Sequence, residues 1–203
     1  MNANNLCRRQ FLRELTLAGC GVALGVVPAF AAPNAAGLTA KLRAVIAVPN
    51  LDRARWRHII CHHSATPNGN AARFDLYHRE VRHMEHGLAY HFVIGNGTDS
   101  GDGTDSGDGQ IEIGPRWRKQ LRGGHVKSLA YNENSIGICL VGNFQHRSPT
   151  RKQNAALEQL IAYLRNEVLS AKPTLLLHRE IRGEQTLCPG RNFPAKRFHK
   201  LFA

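Results

Sequence analysis

Ile59-Ile60-Cys61-His62-His63-Ser64-Ala65-Thr66-Pro67-Asn68-Gly69 is the stretch on which the fold of this 203-residue chain turns. The short apolar run Ile59–Cys61 continues into two histidines and stops at the turn signal Pro67-Asn68-Gly69. That is the signature of a strand delivering polar side chains to its end. In an α/β scaffold, strand ends and the loops after them are where sites are held.

Elsewhere the chain alternates strand and helix signals. Residues 71–86 carry Phe74, Tyr77, Val81 and Met84 at helical spacing, with Gly87 as a natural stop. Leu88–Ile94 and Gln110–Ile113 read as strands, and Ser135–Val141 as a buried central strand with Gly137 inside it. Thr150-Arg151-Lys152-Gln153 matches a capping box. The helix it opens sets Leu157, Leu160, Ile161, Leu164 and Val168 on one face. Thr174–Leu177 is the last strand, ending at His178. This order predicts a single α/β domain over 55–203, with a central mixed β-sheet covered by helices and a site at the strand ends.

The first 31 residues read as an export signal. Arg8-Arg9-Gln10-Phe11-Leu12 precedes a mostly apolar run and Ala29-Phe30-Ala31, a small-x-small cleavage site. The paired arginines resemble a twin-arginine signal, so the expected location is the periplasm or cell wall. Leu17-Ala18-Gly19-Cys20 offers an alternative, a lipoprotein anchored at Cys20. The run is too short and glycine-rich for a transmembrane helix. Residues 32–54, rich in Ala, Pro and Asn at first, read as a linker with room for one short helix.

The net charge is +12. Residues 1–31 hold three arginines and Glu14, so their removal takes away a net two positive charges and leaves +10. Such a surface suits polyanions in general. No zinc-finger, helix-turn-helix or RNP-like string accompanies it, which argues against nucleic acid as the partner. Cys7 and Cys20 fall in the signal, leaving Cys61, Cys139 and Cys188, an odd count that fits no closed disulfide framework. The repeat Thr-Asp-Ser-Gly-Asp-Gly runs twice through 98–109 and reads as a solvated loop lengthened by duplication; its aspartates lack the spacing of a helix-flanked calcium loop.

Three segments carry metal-ligating residue types: Cys61–Thr66, Leu177-His178-Arg179-Glu180 and Thr186-Leu187-Cys188-Pro189-Gly190. Two imidazoles and a thiolate satisfy a catalytic zinc that keeps one position open. The separations of 116 and 10 residues are not diagnostic in themselves. His83 and His86, three apart on the expected helix, read as solvated.

The surrounding strings go further. His62-His63-Ser64-Ala65-Thr66, Tyr90-His91-Phe92, Asn134-Ser135-Ile136-Gly137-Ile138 and His178-Arg179-Glu180…Cys188-Pro189-Gly190 occur in one order. Together, over about Arg55–Phe198, they resemble the type 2 N-acetylmuramoyl-L-alanine amidases, a family that includes phage amidases and animal peptidoglycan recognition proteins. The resemblance implies zinc held by His62, His178 and Cys188, and hydrolysis of the bond between N-acetylmuramic acid and L-alanine in peptidoglycan or muropeptides. It implies a catalytic role for Tyr90 and for Thr186, and places His125 in the substrate cleft. It also implies a peptidoglycan-binding module without catalysis as the alternative, a reading that the presence of Cys188 disfavours. Two departures stand out. The stretch from His178 to Cys188 is slightly longer than in phage enzymes, and Cys139 stands where cytosolic recycling amidases have a glutamate. Cys61 and Cys139 read as core thiols, and the chain as a monomer.

Overall fold

The computed structural model describes residues 37–98 and 106–203, which belong to one compact unit, Ala32–Ala203. The signal segment, the start of the expected linker and most of the tandem repeat lie outside the described residues.

Five strands form one mixed sheet: β1 (His58–His63), β2 (Phe92–Ile94), β3 (Ile111–Ile113), β4 (Ser135–Leu140) and β5 (Thr174–Leu177). Their order is β3-β2-β4-β1-β5. β1 lies between β4 and β5, parallel to both, and only the β2–β3 pair is antiparallel. The helices are α1 (Ala40–Ile46), α2 (Ala71–Glu80), α3 (Pro115–Arg118), α4 (Leu129–Asn134), α5 (Arg151–Tyr163) and α6 (Ala195–Phe202).

Strand alternation gives the sheet two different faces. Ile59, Cys61, Phe92, Ile94, Ile136, Ile138, Leu140, Leu175 and Leu177 share a core with Leu157, Leu160 and Ile161 of α5 and Phe198 and Phe202 of α6. Each such side chain, fully buried, contributes about 1.5–3 kcal/mol. The opposite face carries Ile60, His62, Val93, Gly137 and Cys139. It is covered less deeply, by Phe74 of α2 and by Val126, Tyr131 and Ile181 from loops and α4. One face is therefore committed to stability, which leaves the other free to carry polar groups.

The capping box at Thr150 forms as the sequence predicts, with Thr150 accepting from Gln153 N and Gln153 reaching back to Thr150 N. Past Tyr163 the coil loosens into a π-helical turn, Leu164–Val168, while the predicted apolar face stays buried.

Three expectations are revised. Residues from 37 onward are more than linker: Leu38 and Ile46 sit in the main core, and Trp117 Nε1 donates to Ile46 O at 2.8 Å. α2 ends at Glu80 rather than at Gly87, with Tyr77 and Val81 exposed. His83 adopts φ 51°, left-handed backbone that breaks a helix, so His83 and His86 follow α2 rather than ride on it. Finally, β2 pairs only from Phe92. The carbonyls of Leu88 and Ala89 accept from Arg116 Nε and Gly124 N instead of from a neighbouring strand.

Candidate active site

The two adjacent histidines that end β1 are sent to opposite sides by the pleat. His63 turns toward Phe144, whose backbone N–H donates to its Nδ1 at 3.1 Å. His62 is buried on the less covered face, with its ring centroid 4.6 Å from that of His178 and 5.2 Å from that of Tyr90.

His178 begins a 3-10 turn directly after β5, and Cys188 follows on a loop strapped to it. Arg179 N donates to Cys188 O at 2.9 Å, and Arg179 Nη1 to Gly190 O at 2.8 Å. Gly190, at φ 108°, brings the strap against a second loop; a Cβ there would lie 2.4 Å from the Phe144 carbonyl carbon. The result is that one ligand atom from each of His62, His178 and Cys188 lies within 4.8 Å of the others.

The donor chemistry of this cluster suits a zinc ion. His62 Nδ1 lies 3.7 Å from Cys188 Sγ, and His62 Nε2 lies 3.0 Å from His125 Nδ1. His125 Nε2 in turn lies 3.4 Å from Ser135 Oγ, which donates to Tyr131 O at 2.5 Å. Because Ser135 spends its proton on that carbonyl, it accepts from His125 Nε2–H. His125 Nδ1 then accepts from His62 Nε2–H, and the His62 lone pair is left at Nδ1, facing the cluster. Burial holds both imidazoles neutral, pushing their pKa values well below the usual histidine range. His178 Nε2 lies 3.3 Å from Glu184 Oε2, which leaves Nδ1 as its open nitrogen. Burial also pushes the Cys188 thiol up to about 12, partly offset by the His63 N–H donating to Sγ at 3.3 Å and by the Arg179 charge. Two neutral, oriented imidazoles beside a sulfur with one backbone donor form a coherent ligand set.

The remaining candidates fall around this cluster. Tyr90 stands beside His62, with burial pushing the phenol pKa well above its ordinary value. Thr186 Oγ1 accepts from Cys188 N at 3.1 Å. His125, expected in the substrate cleft, is 7% exposed and its polar contacts are with His62 and Ser135. A groove of about 530 Å³ opens next to Tyr90, lined by Ser64, Thr66, Arg73, Phe74, Tyr77 and His78 among others.

Two site roles carry no signal in the sequence: Ser135, quoted there only within a strand string, closes the hydrogen-bond chain, and Glu184 contacts His178. Cys139 is fully buried, as a core thiol should be, and it shares the His62 side of the sheet, with its Cα directly paired to that of His62.

Comparison with known proteins bears on the family and the fold. A Clostridium intestinale URNW N-acetylmuramoyl-L-alanine amidase, LysC, superimposes with a TM-score of 0.58 at 26% identity, covering 75% of this chain and 93% of that one. Drosophila PGRP-LB gives 0.53 at 25% identity, covering 70% and 78%. Peptidoglycan recognition protein-LE in complex with tracheal cytotoxin, a monomeric diaminopimelic acid-type peptidoglycan, gives 0.56 at 23% identity, covering 76% and 89%, and shares the fold. Among curated proteins none matches. A sequence model described as N-acetylmuramoyl-L-alanine amidase matches residues 52–191, more than half of the chain, and the chain therefore belongs to that family.

Proposed function

We propose that this protein is a zinc-dependent amidase that hydrolyses the bond between N-acetylmuramic acid and L-alanine in exported peptidoglycan or muropeptide. The observation that carries the reading is the convergence of His62, His178 and Cys188 within 4.8 Å beside a groove. Family membership and the likeness to a clostridial amidase support it. The twin-arginine-like segment at 8–12 supports a location outside the cytoplasm, where this substrate is found.

Zinc at these three ligands would supply Lewis acidity, polarising the scissile carbonyl and making water acidic enough to attack near neutral pH. The chain's own groups do the rest. His125 accepts from His62 Nε2–H and so fixes the ligand's tautomer, a role that replaces direct substrate contact. Tyr90, kept protonated by its raised pKa, can donate to the oxyanion of the tetrahedral intermediate. Thr186, having accepted from Cys188 N, retains its own hydroxyl proton for the same purpose. Removing one such donor costs about 3–4 kcal/mol of transition-state stabilisation. The groove beside Tyr90 receives the stem peptide, and the chain without its first 31 residues, at +10, offers it a positive field.

Incubating the purified protein with sacculi, with and without a chelator, tests the proposal. New L-alanine amino termini that disappear with chelator and return with zinc are expected. Sacculus binding without any new termini would instead identify a peptidoglycan-binding module.

A further inference from the structure

We infer that Glu184 is a positioning residue for the metal site, orienting His178 and tying it to the loop that carries His125. This rests on the zinc reading above.

The Glu184 side chain is 4% exposed, an unusual depth for a carboxylate on a surface loop. Each of its oxygens has one partner. Oε2 faces His178 Nε2 at 3.3 Å, and Oε1 accepts from Lys127 N at 2.5 Å. The first contact requires a proton on Nε2, which places the His178 lone pair at Nδ1. A carboxylate behind a ligating imidazole also raises its basicity and fixes its ring. The second contact pins Lys127, two residues from His125. Glu184 thereby joins the outer support of one histidine ligand to the loop supplying the outer support of the other. Ile181 O holds Glu184 N at 3.1 Å, so the turn that delivers the carboxylate is itself ordered.

Position 184 lies between His178 and Cys188. The turn held by Glu184 N and Ile181 O lets the chain double back far enough to set a carboxylate behind His178.

The test is zinc affinity of the full-length protein, measured by competition with a chromophoric chelator, for wild type, Glu184→Ala and Glu184→Gln. Unfolding midpoints of the metal-free proteins are read alongside. Outer-shell losses typically cost about 10–100-fold in metal affinity, and that is expected for Glu184→Ala. Glutamine has one acceptor oxygen where two are needed, so Glu184→Gln should lose about tenfold while keeping the shape, and it carries the comparison if the alanine variant does not fold. Variants that bind zinc as tightly as wild type, whether or not their metal-free midpoints fall, overturn the inference alone. A wild-type chain that takes up no zinc overturns the amidase reading and this inference together.

Discussion

The ring of His125 occupies the space that a side chain at residue 137 would need: a Cβ built on Gly137 would lie 2.3 Å from His125 Cδ2. The central strand β4 thus omits one side chain so that an imidazole can sit against the sheet and reach His62 Nε2 at 3.0 Å. Gly137→Ala should push His125 off His62. The neighbouring His91, which accepts from Gly137 N at 3.0 Å, leaves no slack on that side. Overpacking of this kind costs about 1–3 kcal/mol, and the displaced hydrogen bond should weaken zinc binding as well. Urea unfolding and zinc titration of the variant measure both; unchanged values in each would show that the ring is not held by that gap.

Tyr90→Phe keeps the ring against His62 and removes only the hydroxyl. Zinc content should be unchanged, because Tyr90 is outside the ligand cluster. The turnover number should fall by about 10²–10³, the range for loss of one oxyanion donor. A variant that cleaves muropeptide at the wild-type rate would remove Tyr90 from the chemistry.

Gln153 serves two ends at once. Its Oε1 accepts from Thr150 N in the capping box, and its Nε2 donates to Ile94 O and to Val141 O, where β2 and β4 run out. Thr150→Ala should cost about 1 kcal/mol, the usual value for a lost cap. Gln153→Ala also strands the buried Val141 carbonyl, whereas Ile94 O keeps its bond from Val141 N, and should cost about 2–3 kcal/mol. Equilibrium denaturation of the two variants settles the order; a Thr150 effect as large as that of Gln153 would contradict it.

The parts of this molecule that follow local rules were readable in one dimension. The capping box at Thr150, the apolar face Leu157–Val168 and the run Ser135–Leu140 depend on spacing alone, and the structure contains them. The spacing of Phe74, Tyr77, Val81 and Met84 predicts a helix to 86, but α2 buries no residue completely, so no packed face carries it past Glu80, and Tyr77 faces a groove. The three ligand types were visible as strings, but choosing His62 over His63 depended on family likeness until the pleat separated them. Ser135, Cys139 and Glu184 meet His125, His62 and Lys127 across 10, 77 and 57 residues, where no local pattern reaches. His125 is legible as a site residue through the resemblance, but its contact with His62 is not, since sequence cannot show that Gly137 clears a place for its ring.

His91 sets a pH dependence whose sign can be worked out. It is fully buried, accepts from Gly137 N at Nδ1, and its Nε2 lies 3.1 Å from Leu121 O. Burial pushes its pKa down to about 3 from 6.5, with the Arg116 and Arg55 charges adding to the fall and the Leu121 carbonyl opposing it. Above pH 6.5 the residue is neutral in both folded and unfolded chains and contributes no slope. As pH falls from 6.5 toward 3 the unfolded chain takes up a proton that the folded one refuses, so stability is lost on the acid side. One such group contributes up to about 1.4 kcal/mol per pH unit well inside that window, which amounts to about 1.6 kcal/mol between pH 6.5 and 5. His91→Asn keeps an acceptor and a donor but cannot titrate, so its stability should fall less steeply by about one proton. Urea unfolding of both proteins in chelator at pH 7, 6 and 5 reads the difference. Parallel pH profiles would mean that His91 is protonated in the fold, and that its hydrogen bond from Gly137 N is not made.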